Sequence, residues 1–119
     1  MIRTKRIYDR ADESDGYRIL VDRVWPEGVT KERAALGEWL KDAAPSAKLR
    51  RWWDHSAAKA DEFVTRYRAE LQERPDTLEH IAMLEEEHGT VTLVYVTRDP
   101  VMNSAEVLRD VVEKRSGRH

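Results

Sequence analysis

Seven consecutive residues, "LRRWWDH" from Leu49 to His55, hold two arginines, two tryptophans and a histidine. A guanidinium is a planar fork for carboxylate or phosphate, an indole is a stacking face, and an imidazole exchanges a proton near neutral pH. Together these types suit an anionic or aromatic small molecule. Arg50 and His55 are the candidates here, while the tryptophans read better as core. A second group of charges follows two apolar runs. Asp22-Arg23-Val24-Trp25-Pro26 closes the first run, and Thr97-Arg98-Asp99-Pro100 closes the second. In open α/β sheets, ligands bind in the crevice beyond the carboxyl ends of the strands, so two charged ends lying side by side would line one cleft. The competing reading makes Asp22, Arg23, Arg98 and Asp99 structural ion pairs.

Other chemistries find less support. The chain has no cysteine, which removes thiolate catalysis, disulfides and cysteine metal sites. His80, His88 and His119 make no HExxH or comparable ligand spacing, so no metal site is expected. The five glycines form neither GxGxxG nor a P-loop, and no serine stands in a nucleophile elbow. No motif assigns a cofactor. A formal charge of -2 disfavours nucleic acid as a dedicated partner, because affinity for polyanions rests on a positive field. No run reaches the length of a membrane span and Met1 to Arg10 lacks the apolar stretch of a secretory signal, so the expected setting is the cytoplasm.

The elements that must position these residues follow from hydrophobic period. At 119 residues, one domain with a single core is expected. Arg3 to Tyr8 reads as a cationic edge strand and Asp15-Gly16 as a turn. Tyr17 to Val24, with the unbroken run Ile19-Leu20-Val21, reads as a strand covered on both faces. Thr30 is placed to cap a helix over Lys31 to Asp42, with Leu36, Trp39, Leu40 and Ala43 on one face. After Pro45-Ser46, Leu49 to Trp53 reads as a short helix or turn. Ser56 is placed to cap the next, where Ala60, Phe63, Val64, Tyr67 and Leu71 keep helical spacing. Asp76 with Glu79 resembles a capping box ahead of Leu78, Ile81 and Ala82, and Gly89 is placed to end that helix. Val91 to Val96 is the clearest strand, Val101 to Lys114 the last helix, and 115–119 a frayed tail. The sum is an α/β fold: a small, mostly parallel sheet with helices on both faces.

The segments "KRIYD", "DGYRILVDRVWPEG", "EWLKDAAPS", "LRRWWDH", "FVTRYRAEL" and "VTLVYVTRD", in this order and at compact spacing, resemble the YeaO-like proteins of the domain-of-unknown-function 488 family over nearly the whole chain. The resemblance implies a small bacterial cytosolic α/β protein and brings no established reaction. The family pattern "DRLWPRG" falls on Asp22 to Gly28, so Arg23, Trp25, Pro26 and Gly28 carry over. So do Trp39, Lys41, Pro45, Ser46, Arg50, His55, Tyr67, Tyr95, Asp99 and Asn103. Two positions depart from it: Glu27 replaces the usual basic residue, and Met102 stands where a histidine commonly precedes the asparagine.

The resulting expectation is a domain that binds a small anionic or polar ligand at the strand ends. Arg23 and Arg50 are its anion clamps, Trp25 a wall, and Tyr95, Asp99 and Asn103 polar orienters. If catalysis follows, His55 with Asp99 would supply general acid-base chemistry. The alternative is a protein-protein or homodimer module built on exposed tryptophans and arginines.

Overall fold

The computed structural model describes residues 1–54, 56–98 and 103–115. Among the described residues, four strands, β1 (Ile2–Arg6), β2 (Tyr17–Leu20), β3 (Glu38–Trp39) and β4 (Val91–Tyr95), form one sheet in the order β1-β4-β2-β3. Every pairing is parallel. β4 is buried throughout, as a β-branched run between two neighbours must be, and the cationic β1 lies at an edge. Among the described residues, five α-helices pack with the sheet: α1 (Lys31–Ala34), α2 (Ala47–Trp53), α3 (Ala60–Gln72), α4 (Pro75–His88) and α5 (Ser104–Arg115).

Side chains alternate across a strand, so each strand feeds both faces of the sheet. Val91, Leu93 and Tyr95 of β4 enter a large cluster with Leu49 and Trp53 of α2, Phe63, Tyr67 and Leu71 of α3, Ile81 of α4 and Leu108 of α5. Val94 enters a smaller one on the other face, with Ile7, Leu20, Val29 and Ala34. The expected covering of both faces is present but unequal: α2 to α5 lie on one side, α1 and the loop before it on the other.

The thin face is polar toward the N-terminal ends of the strands. There Arg18 donates to the Asp15 carboxylate at 2.7 Å and to the Ala34 carbonyl at 3.0 Å. Lys5 reaches both Asp15 oxygens at 3.2 Å, and the Thr92 hydroxyl donates to the Asp15 backbone oxygen at 2.6 Å. Burial alone would raise the Asp15 pKa. Hydrogen bonds from the Asp12 amide, Lys5 and Arg18 outweigh it and hold the carboxyl below its ordinary value.

The structure corrects three local expectations. The helix expected over Lys31 to Asp42 ends at Ala34, because Ala35 turns left-handed at φ 49° and the chain then joins the sheet. Gly37 donates to Arg18 O at 2.7 Å and Leu40 to Leu20 O at 2.8 Å, so the edge of β2 takes the backbone groups that a helix would have paired. Leu36 and Trp39 then fall in the thin-face cluster, while Leu40 and Ala43 pack against the other. Gly37 lies so close to the Tyr17 ring that an added Cβ would stand 2.3 Å from it. The capping box at Asp76 is also replaced. α4 begins one residue earlier at Pro75, whose missing N–H costs nothing there, with Arg74 as the cap. Ser56 makes no capping bond; a 3₁₀ turn, Ala57–Lys59, leads into α3 instead. Thr30 and Ser46 do cap α1 and α2. α5 begins at Ser104 and includes Arg115, while the tail at 116–119 and the expected helix start at Val101 lie outside the described residues.

Candidate functional site

β2 and β4 are adjacent and parallel, with Leu20 opposite Val94, so their carboxyl ends open on the same side. The Val21 amide still donates to Val94 O at 3.0 Å, and then the two chains part. Asp22 sits in the fork. One of its carboxylate oxygens accepts from the Val96 amide at 3.2 Å, and its backbone oxygen accepts from the Trp39 indole at 2.6 Å. Its other carboxylate oxygen stands 3.8 Å from Arg50 Nη1, beyond hydrogen-bond range. Arg50 makes no hydrogen bond among the described residues, and its side chain is 40% exposed. The donors of its fork therefore remain available.

Below Arg50 lies a hollow of about 180 Å³, lined by Asp22, Pro45, Arg50, Trp53, Tyr95, Val96, Thr97 and Ser104. Drug-sized ligands fill pockets of roughly 300 Å³ or more, so this one suits a group of few heavy atoms. It offers one cation, one carboxylate, three hydroxyl-bearing side chains and an aromatic wall.

Pro45 is held by a web that the sequence did not announce. Arg23 donates its Nε to Pro45 O at 2.8 Å. Glu70 on α3 accepts from the Ser46 amide at 2.8 Å and the Ser46 hydroxyl at 2.6 Å, and that hydroxyl accepts from the Leu49 amide at 3.1 Å, which starts α2. Arg74 donates to the carbonyls of Asp42 and Ala44, both at 2.7 Å. The buried Tyr67 hydroxyl donates to Ala43 O, and burial pushes its pKa well above the usual tyrosine range. Tyr67→Phe is expected to leave the carbonyl unpaired and to cost about 1–2 kcal/mol, read from urea unfolding of the two proteins. No change would mean the hydroxyl bond contributes nothing to holding this turn.

The predicted residues divide. Arg50 and Tyr95 line the hollow together. Trp25 lines a neighbouring hollow that also contains Arg50 and Asp22, and its indole donates to Val29 O at 2.7 Å. Arg23 does not line the Arg50 hollow; it braces the Pro45 turn from behind. Asn103 is buried and its side-chain oxygen accepts from the Glu106 amide at 3.0 Å, which caps α5. His55 and Asp99, the proposed acid-base pair, lie outside the described residues. Of the four tryptophans, Trp53 is buried and Trp25, Trp39 and Trp52 are partly exposed. Of the lining residues, Thr97 and Ser104 carried no signal beyond their nearness to Arg98 and Asn103. Asp22 was legible as part of the charged end of β2, with a structural ion pair as its competing reading. Among the described residues no cluster of metal-ligating side chains occurs, and no helix is long and apolar enough to cross a membrane.

A family model described as "Inactive DUF488-N3 subclade" matches residues 1–119. The uncharacterized protein Rv3073c of Mycobacterium tuberculosis is 38% identical over 114 residues, covering 96% of this chain and 95% of that protein. The uncharacterized protein YeaO of Escherichia coli is 39% identical over 109 residues, covering 92% and 94%. No solved structure matches the chain.

Proposed function

The chain belongs to the DUF488 family, in the subclade described as inactive, and from that premise we propose that it is a cytoplasmic single-domain protein that binds a small anionic or polar ligand without transforming it. One observation carries this reading: Arg50 stands over the shared exit of β2 and β4, held by no hydrogen bond among the described residues and only loosely opposed by Asp22. An arginine left unsatisfied at the edge of a hollow retains its donors for a carboxylate or phosphate. Arg23 serves that site indirectly, by fixing Pro45 in its wall. Tyr95 and Trp25 supply aromatic boundaries. The word "inactive" in the family description favours binding over turnover.

Titration of the ¹⁵N-labelled chain with sulfate or acetate, at constant ionic strength, is expected to shift the amides of Val96 and Thr97. Arg50→Ala is expected to weaken that binding by roughly tenfold or more, the worth of one charge-assisted hydrogen bond, with an unchanged melting temperature. Anion binding that persists in the Arg50→Ala protein, or none in the wild type, would sink the reading. The rival, a homodimer module, requires a concentration-dependent mass on sizing.

A further inference from the structure

The Arg50 hollow uses one side of the β4 exit. On the other side lies a second hollow of about 380 Å³, lined by Arg6, Tyr8, Val96, Thr97 and Arg98. Val96 and Thr97 line both, so the two hollows meet along one short stretch of chain. Arg6 is the last residue of β1. Its Nε donates to Thr97 O at 3.0 Å, and its guanidinium carbon stands 5.0 Å from the centroid of the Tyr8 ring. Those two contacts fix the plane of the fork while leaving both Nη atoms without an acceptor among the described residues. Arg98 is exposed and has no ion pair among them.

The charge pattern of this place differs from that of the Arg50 hollow, where Asp22 stands opposite the cation. The second hollow has two guanidiniums and no carboxylate among its lining residues. Like charges sharing one hollow repel, and an anion seated between them converts that repulsion into attraction. A carboxylate is satisfied by one guanidinium fork. Two forks converging on one space match the larger charge and greater number of acceptor oxygens of a phosphate.

We propose that Arg6 and Arg98 form a phosphate subsite, and that the ligand carries a second anionic group which reaches Arg50 across Val96 and Thr97. The phosphate subsite stands on its own residues, whereas the two-ended ligand rests on the Arg50 reading. Inorganic phosphate titrated into the full chain, followed by calorimetry and amide shifts with chloride balancing the ionic strength, tests both. Two phosphates per chain are expected. Arg98→Ala, at an exposed position, should weaken one by roughly ten- to a hundredfold and leave the other unchanged; Arg50→Ala should do the converse. Among alkane bisphosphonates of increasing chain length, one member should bind one-to-one and roughly a hundredfold tighter than phosphate.

A single phosphate that survives Arg98→Ala and disappears with Arg50→Ala overturns the second subsite and spares the Arg50 reading. A single phosphate lost with Arg98→Ala and kept with Arg50→Ala supports the subsite and sinks the Arg50 reading. Two phosphates with no bisphosphonate tighter than either overturn the two-ended ligand.

Discussion

Replacing Asp15 by Asn is expected to cost about 3 kcal/mol, a large share of the stability of a domain this size. The carboxylate is 3% exposed and is the ion-pair partner of both Arg18, itself 3% exposed, and Lys5. Asn keeps the shape and removes the charge. It leaves a guanidinium buried against the sheet with nothing to neutralise it, and desolvated charge without a partner is among the costliest defects a fold can carry. Urea unfolding at neutral pH measures the loss.

The same carboxylate gives the fold an acid limit. Its pKa in the folded chain lies below the ordinary 3.8, so the native state holds the ionised form more strongly than the unfolded chain does. Its contribution is complete above that ordinary value and disappears as pH falls through the depressed folded one. The wild-type advantage over Asp15→Asn should therefore be constant near neutrality and shrink in strong acid. An advantage that does not change with acidity would show that the Asp15 charge is not what Arg18 requires.

Gly16→Ala is expected to be the second severe change, on the order of 4 kcal/mol, from the sum of backbone strain and overpacking. Gly16 adopts φ +64° with ψ -133°, a region that side chains rarely enter. An added Cβ would also stand 2.3 Å from the carbonyl oxygen of Thr90. That oxygen accepts the Tyr17 amide at 3.0 Å, the bond that begins β2 beside the loop leading into β4. Relief of the clash would therefore disturb the register of the two central strands. Gly28 is the control: its φ is +75° but nothing lies within 4 Å of an added Cβ. Gly28→Ala should cost only about 1 kcal/mol. Equal losses at the two glycines, measured by thermal unfolding, would show that the Thr90 contact is not decisive.

The parts of the fold that were legible in the sequence are those where one physical cause dominates. The run Val91 to Tyr95 is apolar, β-branched and bounded by a turn at each side, and no competing structure offers to bury it. Phe63, Tyr67 and Leu71 keep the period of α3 over more than one turn. Between Lys31 and Ala43 two causes compete. Leu36, Trp39, Leu40 and Ala43 fit a helical face, yet they also fit a chain that crosses a sheet edge with alternate residues turned to opposite faces. Choosing between them needed the free edge of β2, which is a fact about distant residues.

The site was legible in the same measure. That the chain leaving two core strands would open on one side could be read once the strands were taken as neighbours: Asp22 and Thr97 line one hollow with Arg50 and Tyr95, whereas Arg23 stands outside it and Arg98 lines another. The role of Arg23 could not be read. A guanidinium beside a strand end looks the same in sequence whether it faces a ligand or, as here, the Pro45 carbonyl. Arg6 was hidden in a basic segment whose alternation along β1 sends its neighbour Lys5 to Asp15 and leaves Arg6 at the strand exit.

The strand order has a consequence for how the molecule comes into being. β1 and β2 touch only through β4, which is made last of the three. On the ribosome, Ile19 and Leu20 must wait beside an empty groove while some seventy further residues emerge, and the nascent chain meanwhile carries an unpaired apolar edge. Insertion of β4 then closes the sheet and creates both hollows beyond its carboxyl end in one late event. The sheet therefore cannot close until Tyr95 has cleared the exit tunnel.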